Sequence, residues 1–148
     1  MIVYPQQPAH EAAMMEFLRT FAHVQPSKDM KVMGWLGDGG HLVMVVGFNA
    51  FIGATCQIHV AMVPDFHFTP KAMLEAVFRH AFDDFNRAKL IGIVNSKNTD
   101  AMKYDLHLGF KEEFRMPGLH DDGGDIVILG MTRAECKYLK NKPRLMAA

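Results

Sequence analysis

The sequence predicts one α/β domain in which a twisted, mixed β-sheet of about six to seven strands is flanked by helices on both faces. Three observations lead to this fold class. Segments with a two-residue alternation are interspersed with segments whose apolar residues recur at helical spacing. The length of 148 residues and the 49% apolar content suit a single packed core. Finally, one strongly amphipathic helix lies between two apolar strands, which makes part of the sheet parallel.

The N-terminal half is predicted to form a short strand, one amphipathic helix and an antiparallel meander. Met14, Phe17, Leu18 and Phe21 recur at helical spacing between residues 8 and 23. The predicted strands of this half are 2–4, 31–36, 41–49 and 54–63. Residues 37–40, Gly-Asp-Gly-Gly, tolerate the positive φ angles that a tight hairpin needs. Three consecutive strands joined by short turns therefore predict a meander.

The C-terminal half begins with the strongest helical pattern of the chain. Its apolar residues are Leu74, Val77, Phe78, Ala81, Phe82 and Phe85. Thr69 is predicted to cap this helix with its hydroxyl, and Pro70 suits the first helical position. The apolar run 90–94 predicts a buried strand, parallel to the strand before the helix. Asn98 is predicted to cap the next helix, which ends at Gly109.

The remainder of the chain is predicted to form the last two strands of the sheet and then a tail. Strands at 112–116 and 125–131 are expected around a turn at 121–124, where Asp-Asp-Gly-Gly favours tight geometry. The tail 133–148 is predicted to begin as a short helix and then to fray, because its end offers little to bury. One domain spanning 1–148, without a linker, is therefore expected.

Charge and cysteine content narrow the classes of partner. Sixteen basic residues balance sixteen acidic ones, so no global field favours nucleic acid or an anionic membrane. Cys56 and Cys136 form neither a metal-type pair nor a disulfide ladder, which fits a reducing compartment. Neither an export signal nor an apolar run of about 20 residues is recognisable. We expect a cytoplasmic protein that binds neither nucleic acid nor membrane.

The most specific local pattern is the segment from Asn98 to Phe110, NTDAMKYDLHLGF. It resembles the last core helix of the GNAT N-acetyltransferase superfamily, in which an Asn, an Ala three residues later and a terminal Gly-Phe frame a helix beside coenzyme A. The order of elements is similar to that fold over nearly the whole chain. The closing segment 126–136 also resembles short GNAT-like proteins of tailed phages and prophages. The alternative interpretation is an ordinary capped helix with a glycine stop.

The resemblance implies acetyl-CoA as co-substrate and a set of residues that contact it. The strand backbone at Ala61, Met62 and Val63 would bond the pantetheine arm and polarise the thioester carbonyl. The start of the helix near residue 70 would face the pyrophosphate, and Asn98 and Ala101 would lie along the cofactor. The residues expected at that helix start are Phe68, Thr69, Lys71 and Ala72.

The chain departs from the family pattern in the pyrophosphate segment. Typical members carry a glycine-rich loop there, whereas residues 64–72 contain no glycine. The unpaired N–H groups of a helix start still attract an anion, and Lys71 and His67 would add positive charge. The alternative is a capped helix with a solvated lysine.

A second departure concerns the group that protonates the leaving thiolate. Many members place a tyrosine seven residues after the motif asparagine, but Asp105 stands there. Its spacing from Ala101 and Leu108 puts it on an apolar stripe, where desolvation raises a carboxyl pKa. Asp105 is either a replacement acid or a carboxyl bonded to nearby backbone or water. Tyr104 is expected about 100° away around the helix.

Transfer to an amine also benefits from a base. His59 is the first candidate because it precedes Ala61 by two residues on the strand that, by resemblance, lines the acetyl group, and because histidine titrates near neutrality. Asp65, in the following loop, is the second candidate. A packed, hydrogen-bonded histidine without a catalytic role is the alternative. The spacing of His59, Asp65 and His67 matches no common metal site, so no metal is expected.

Three hypotheses follow. The first is an enzyme that transfers acetyl directly from acetyl-CoA to a primary amine of a small molecule or a protein, without an acyl-enzyme. The second is a GNAT-like binding or phage structural module that keeps the fold and has lost the reaction. A binder of another nucleotide-like ligand in the same cleft is a third. Pairing of edge strands into a homodimer is a further implication of the resemblance.

Overall fold

A seven-stranded mixed sheet organises the protein, as seen in a computed structural model that describes residues 1–66 and 68–139. The strands are β1 (Ile2–Val3), β2 (Lys31–Leu36), β3 (Leu42–Ile52), β4 (Thr55–Met62), β5 (Lys89–Asn95), β6 (Lys111–Met116) and β7 (Ile126–Thr132). The helices are α1 (Pro8–Ala22), α2 (Lys71–Arg79) and α3 (Thr99–Leu108), and α2 continues as one π-helical turn, His80–Asp84. The predicted fold class is confirmed.

The strand order is β1-β2-β3-β4-β5-β7-β6, and the pair β4–β5 is parallel whereas the other neighbours are antiparallel. This is the arrangement that the predicted βαβ unit requires, because a helical crossover joins the two parallel strands. Pairing between β4 and β5 covers three positions, Thr55 with Lys89, Cys56 with Leu90 and Gln57 with Ile91. Beyond Gln57 the two strands diverge, and the sheet opens.

Helices cover both faces of the sheet, each over its own apolar cluster. Leu18 of α1 packs with Val45 of β3 and Ala61 of β4 on one face. Phe78 and Phe82, with Leu129 of β7, belong to the larger cluster on the opposite face. Gly47 permits the close approach of α1, since a Cβ atom there would lie 2.8 Å from Leu18 Cδ1 and 2.8 Å from Met30 Sδ.

Some boundaries differ from the predictions. β3 continues to Ile52 through an irregularity between Asn49 and Ile52, where Ala50 has a φ of 49°. A β-bulge of this kind adds a residue without ending the pairing, so alternation alone does not reveal it. The helical pattern after residue 70 ends in a π turn, in which Phe85 N–H donates to His80 O at 2.9 Å.

The predicted helix at the start of the tail is not formed in residues 133–139, which make turns instead. The carboxylate of Glu135 accepts from Thr132 N–H at 2.8 Å and from the Thr132 hydroxyl at 2.9 Å. These bonds hold a tight turn that directs Cys136 and Leu139 into the larger core. Residues 140–148 lie outside the described part. In the described ranges, no helix combines the length and apolarity needed to cross a bilayer.

Candidate active site

A cleft of about 800 Å³ lies where β4 and β5 part. One side is formed by Ile58, His59, Val60 and Met62 of β4, and the other by residues 92–95 of β5. Phe21, Ala22 and Val24 contribute from the end of α1 and the residues after it. The α3 side of the cleft consists of Asn98, Asp100, Ala101, Tyr104, Asp105 and Leu108. The cleft therefore lies between the two parallel strands and is bounded by helical segments from both faces.

Backbone groups of β4 face the cleft. Val63 N–H donates to Val43 O at 3.0 Å on the β3 side. Because backbone groups of a strand point alternately to its two sides, the N–H and C=O groups of Val60 and Met62 point to the β5 side. Of β4, Thr55 to Gln57 are the residues that pair with β5. These groups are thus placed to bond a ligand in the cleft.

The α3 side begins with a well-formed cap. Asn98 Oδ1 accepts from Ala101 N–H at 3.2 Å, and the helix ends at Gly109 with a φ of 112°. Both features are as predicted. Because Asn98 and Ala101 also line the cleft, the positive end of the α3 dipole borders it.

Asp105 and Tyr104 both line the cleft. Burial raises the pKa of Asp105 to about 7, in the direction predicted from its apolar stripe. Tyr104 was expected on another side of the helix, yet its hydroxyl reaches the Thr69 hydroxyl at 3.0 Å. A separation of about 100° does not exclude two neighbours from one wide cleft. Tyr104, to which the sequence analysis gave no role, is thus part of the lining.

His59 lies on the opposite side, on the face of β4 that carries Ala61 and is covered by α1. Its Nε2 is 2.8 Å from Asn49 Oδ1, and burial lowers its pKa. Asn49 Nδ2 donates to Ser27 Oγ at 3.0 Å, and the Ser27 hydroxyl donates to Asp29 Oδ1 at 2.5 Å. The sequence analysis did not predict this chain of hydrogen bonds. Its only signal was an asparagine at the end of the apolar run of β3.

The segment before α2 differs from the prediction. Thr69 does not cap the helix: the N-cap position is Pro70, which makes no side-chain cap bond. Instead the Thr69 hydroxyl contacts Tyr104 at 3.0 Å and Met62 Sδ at 3.8 Å. The tertiary contact with α3 therefore takes the hydroxyl that a local cap would have used.

Most of the remaining predicted site residues do not line the cleft. Lys71 pairs with Glu75 at 3.7 Å and its side chain is 81% exposed, while Phe68 is 79% exposed. The predicted residues that do not line the cleft are Ala61, Val63, Asp65, Phe68, Thr69, Lys71 and Ala72. Ala61 is instead buried against the α1 face. His67 lies outside the described residues.

The described lining of the cleft has more acidic than basic side chains. Among its described side chains, Asp100 and Asp105 carry carboxyl groups, His59 is the only imidazole, and neither lysine nor arginine contributes. Over the described part of the chain, no three His, Cys, Asp or Glu side chains form a group that could hold a metal ion. The described lining therefore offers no lysine or arginine to an anionic group, and burial raises the pKa of one of its two carboxyl groups, Asp105, to about 7.

Comparisons with known proteins extend the description of the fold. No family model matches the chain, and no curated protein matches its sequence. Among solved structures, spermidine N-acetyltransferase from Vibrio cholerae in complex with CoA and spermine is similar, with a TM-score of 0.70, 10% identity and coverage of 91% of this chain and 96% of that one.

Two further structures show the same likeness. A mutant of the spermidine N-acetyltransferase SpeG from Vibrio cholerae has a TM-score of 0.71 and 11% identity, with coverage of 95% of this chain and 96% of that chain. A protein assigned as a phosphinothricin N-acetyltransferase has a TM-score of 0.65 and 17% identity, with coverage of 89% and 97%. At such identities the likeness concerns the fold. The chain has the fold of the GNAT N-acetyltransferases.

Proposed function

We propose that this protein is an acetyl-CoA-dependent N-acyltransferase that transfers acetyl directly to a primary amine. The observation that carries the proposal is the divergence of β4 and β5 after three paired positions, which opens a cleft between His59 on one side and Asp105 on the other. A thioester held between them would meet an amine from the α1 side. Proximity and orientation would then supply much of the acceleration.

Acetyl-CoA would be held chiefly by backbone groups. The groups of Val60 and Met62 that face the β5 side would bond the pantetheine arm, and Asn98 and Ala101 would border it at the start of α3. The pyrophosphate would lie at the start of α2, where Thr69, Lys71 and Ala72 follow Phe68. Contacts of Thr69 with Met62 and Tyr104 connect that segment to the cleft and support this placement.

The shifted pKa values of His59 and Asp105 suit the two proton transfers in which these side chains would take part. His59 would remove the proton of the attacking ammonium, because its lowered pKa keeps the imidazole neutral near pH 7. The neutral amine nitrogen then forms a bond to the thioester carbon, and the C–S bond breaks. The nitrogen loses its second proton to water as the amide forms, and Asp105 gives its own proton to the leaving thiolate. Burial raises the pKa of Asp105 to about 7, so this carboxyl group keeps a proton available near neutral pH. Asp65 lies outside the cleft lining, which favours His59 as the base.

A small cationic amine is the acceptor that we propose. The excess of acidic over basic side chains in the described lining supports this class, and a structural neighbour contains spermine together with CoA. The protein would act in the cytoplasm. Edge strand β6, which is exposed from Lys111 to Arg115, offers a surface through which two copies would pair as a homodimer.

The test is an acetylation assay with acetyl-CoA and a panel of acceptors containing polyamines, amino acids, aminoglycosides and peptide N-termini, read by mass spectrometry of the products. Gly92→Leu provides a cleft-filling variant. A Cβ atom at Gly92 meets nothing nearer than Leu129 Cβ at 4.0 Å, so the backbone tolerates a side chain that enters the cleft. We expect acetylated product with the wild-type protein and little with Gly92→Leu. Absence of product with every acceptor would oppose the proposal.

A non-catalytic GNAT-like module, of the kind that resembles phage proteins, is the second candidate. Residues 64–72 lack glycine, and Lys71 points away from the cleft lining into an exposed pair with Glu75. Both features would weaken phosphate binding. Binding of CoA without acetyl transfer to any acceptor would favour this candidate over the enzyme.

A further inference from the structure

We infer that Asn49, Ser27 and Asp29 are positioning residues that fix neutral His59 in the tautomer with hydrogen on Nε2, leaving Nδ1 as the proton acceptor. The role of Nδ1 toward an amine rests on the proposed function. The tautomer itself does not, because it follows from bonds within the protein. The chain of hydrogen bonds runs from His59 on β4, through Asn49 at the end of β3, to Ser27 and Asp29 in the loop between α1 and β2.

The direction of each bond follows from the one before it. An ionised carboxylate only accepts, so the Ser27 hydroxyl donates to Asp29 Oδ1 across 2.5 Å. The Ser27 oxygen then accepts from Asn49 Nδ2 at 3.0 Å, which orients the amide. Asn49 Oδ1 consequently faces His59 Nε2 at 2.8 Å, and an oxygen without hydrogen requires a donor. His59 Nε2 therefore carries the hydrogen.

Asp29 ends the chain of hydrogen bonds and fixes the direction of its bonds. Its hydrogen bond from Ser27 and its bonds from backbone N–H groups lower its pKa below the ordinary value of 3.8. One of these bonds is from Phe51 N–H to Oδ2, at 3.3 Å. The carboxylate is thus ionised at neutral pH. Exchanging the donor and acceptor roles along these hydrogen bonds would require Asp29 to be protonated.

The fold places an asparagine where an apolar residue would ordinarily lie. Asn49 is 9% exposed, and among the described residues it is the only buried polar side chain. Both ends of its amide are bonded, which removes the cost of burying it. It stands at the irregularity in β3, and such irregularities re-aim side chains. A buried amide that is bonded at one end, through Ser27, to an ionised carboxylate and at the other end to a cleft histidine is arranged to orient that histidine.

The first measurement is the tautomer of His59 by ¹⁵N–¹H correlation spectra of histidine-labelled protein, assigned with His59→Gln, at a pH where the ring is neutral. We expect wild-type His59 to carry hydrogen on Nε2. In Ser27→Ala the amide loses its anchor and can turn, so the spectrum should shift toward a mixture that includes the Nδ1–H form. Ser27→Thr, which keeps the hydroxyl, should restore the wild-type spectrum.

The second measurement is kinetic, on an acceptor found as described above. Ser27→Ala should lower kcat about fivefold to tenfold, the effect of one lost hydrogen bond, with little change in KM for acetyl-CoA. In a His59→Ala background the same substitution should have no further effect. Lys28→Ala is the control, because Lys28 lies between Ser27 and Asp29 in the loop. It should leave both the spectrum and kcat unchanged.

The outcomes separate this inference from the proposed function. Hydrogen on Nδ1 of wild-type His59, or an unchanged tautomer in Ser27→Ala, overturns the positioning chain whatever the enzyme does. Equal loss of kcat from Ser27→Ala with and without His59 also overturns it. Failure to find any acceptor would count against the proposed function, and the spectra alone would then decide the inference.

Discussion

The two sides of the cleft hold their ionisable groups in different ways. On the β4 side, His59 is bonded to Asn49 and through it to an ionised carboxylate. On the α3 side, burial alone accounts for the raised pKa of Asp105. Burial shifts both groups toward their neutral forms, but only His59 has its orientation fixed by a chain of hydrogen bonds. Proton acceptance needs a particular nitrogen, whereas proton donation from a carboxyl needs chiefly that the proton be retained.

The largest expected effect concerns Asp105, on the α3 side of the cleft, and its contribution to stability. The pKa of Asp105 is raised from 3.8 to about 7, so the unfolded chain loses its proton at lower pH than the folded protein. Stability from this group is fully present below pH 3.8 and is lost as the pH rises to about 7. The loss approaches about 4 kcal/mol, since each unit of pKa shift corresponds to about 1.4 kcal/mol.

Asp105→Asn should therefore remove this loss, and its free energy of unfolding should exceed that of the wild type increasingly from pH 4 to about pH 7. Urea unfolding at a series of pH values measures the difference. Asp100→Asn, on the exposed first turn of α3, is the matched control. Parallel pH profiles for wild type and Asp105→Asn would contradict burial of Asp105 as an acid.

Removal of the base tests the β4 side. His59→Ala should lower kcat/KM about 100-fold, within the range for loss of general base catalysis, and leave acetyl-CoA affinity nearly unchanged. The acid limb of the wild-type profile should lie below pH 6.5, because burial lowers the pKa of His59. Steady-state kinetics across pH provide the measurement, with exposed His41→Ala as control. A rate unchanged by His59→Ala would leave this side without a catalytic group.

The packing beneath His59 gives a smaller expected effect. Gly47 pairs with His59 across β3 and β4, and a Cβ atom there would lie 2.8 Å from Leu18 and Met30. Gly47→Ala should lower the free energy of unfolding by about 1–3 kcal/mol, the usual cost of overpacking a core. Chemical denaturation measures it, with Gly92→Ala as the open-site control. Equal stability of the two variants would show that α1 can move away at little cost.

Loss of the α3 cap is the smallest of these effects. Asn98→Ala removes the bond from Ala101 N–H and should lower stability by about 1 kcal/mol. Asn98→Asp keeps an accepting oxygen and should preserve most of it. Thermal unfolding of the three proteins checks this prediction. A loss as large in Asn98→Asp as in Asn98→Ala would mean that the cap bond is not what stabilises this end of α3.

The two sides also differ in how far the sequence could predict them. The α3 side follows from local signals, because an N-cap asparagine and a C-terminal glycine act within one turn of the residues that they cap. The same reasoning was wrong for Thr69, whose hydroxyl bonds Tyr104, a residue 35 positions later. On the β4 side, the strand and its alternation were predictable. The bonds that orient His59 were not, because Asn49, Ser27 and Asp29 are brought together by strand pairing and a loop.

The central claim, that acetyl-CoA binds where β4 and β5 part, is tested most directly by calorimetric titration of acetyl-CoA into wild-type protein and into Gly92→Leu. The account predicts saturable binding with one site per chain in the wild type, and affinity at least about tenfold weaker in Gly92→Leu, since its side chain occupies the cleft. Absence of binding at millimolar acetyl-CoA, or equal affinity in the two proteins, would contradict it.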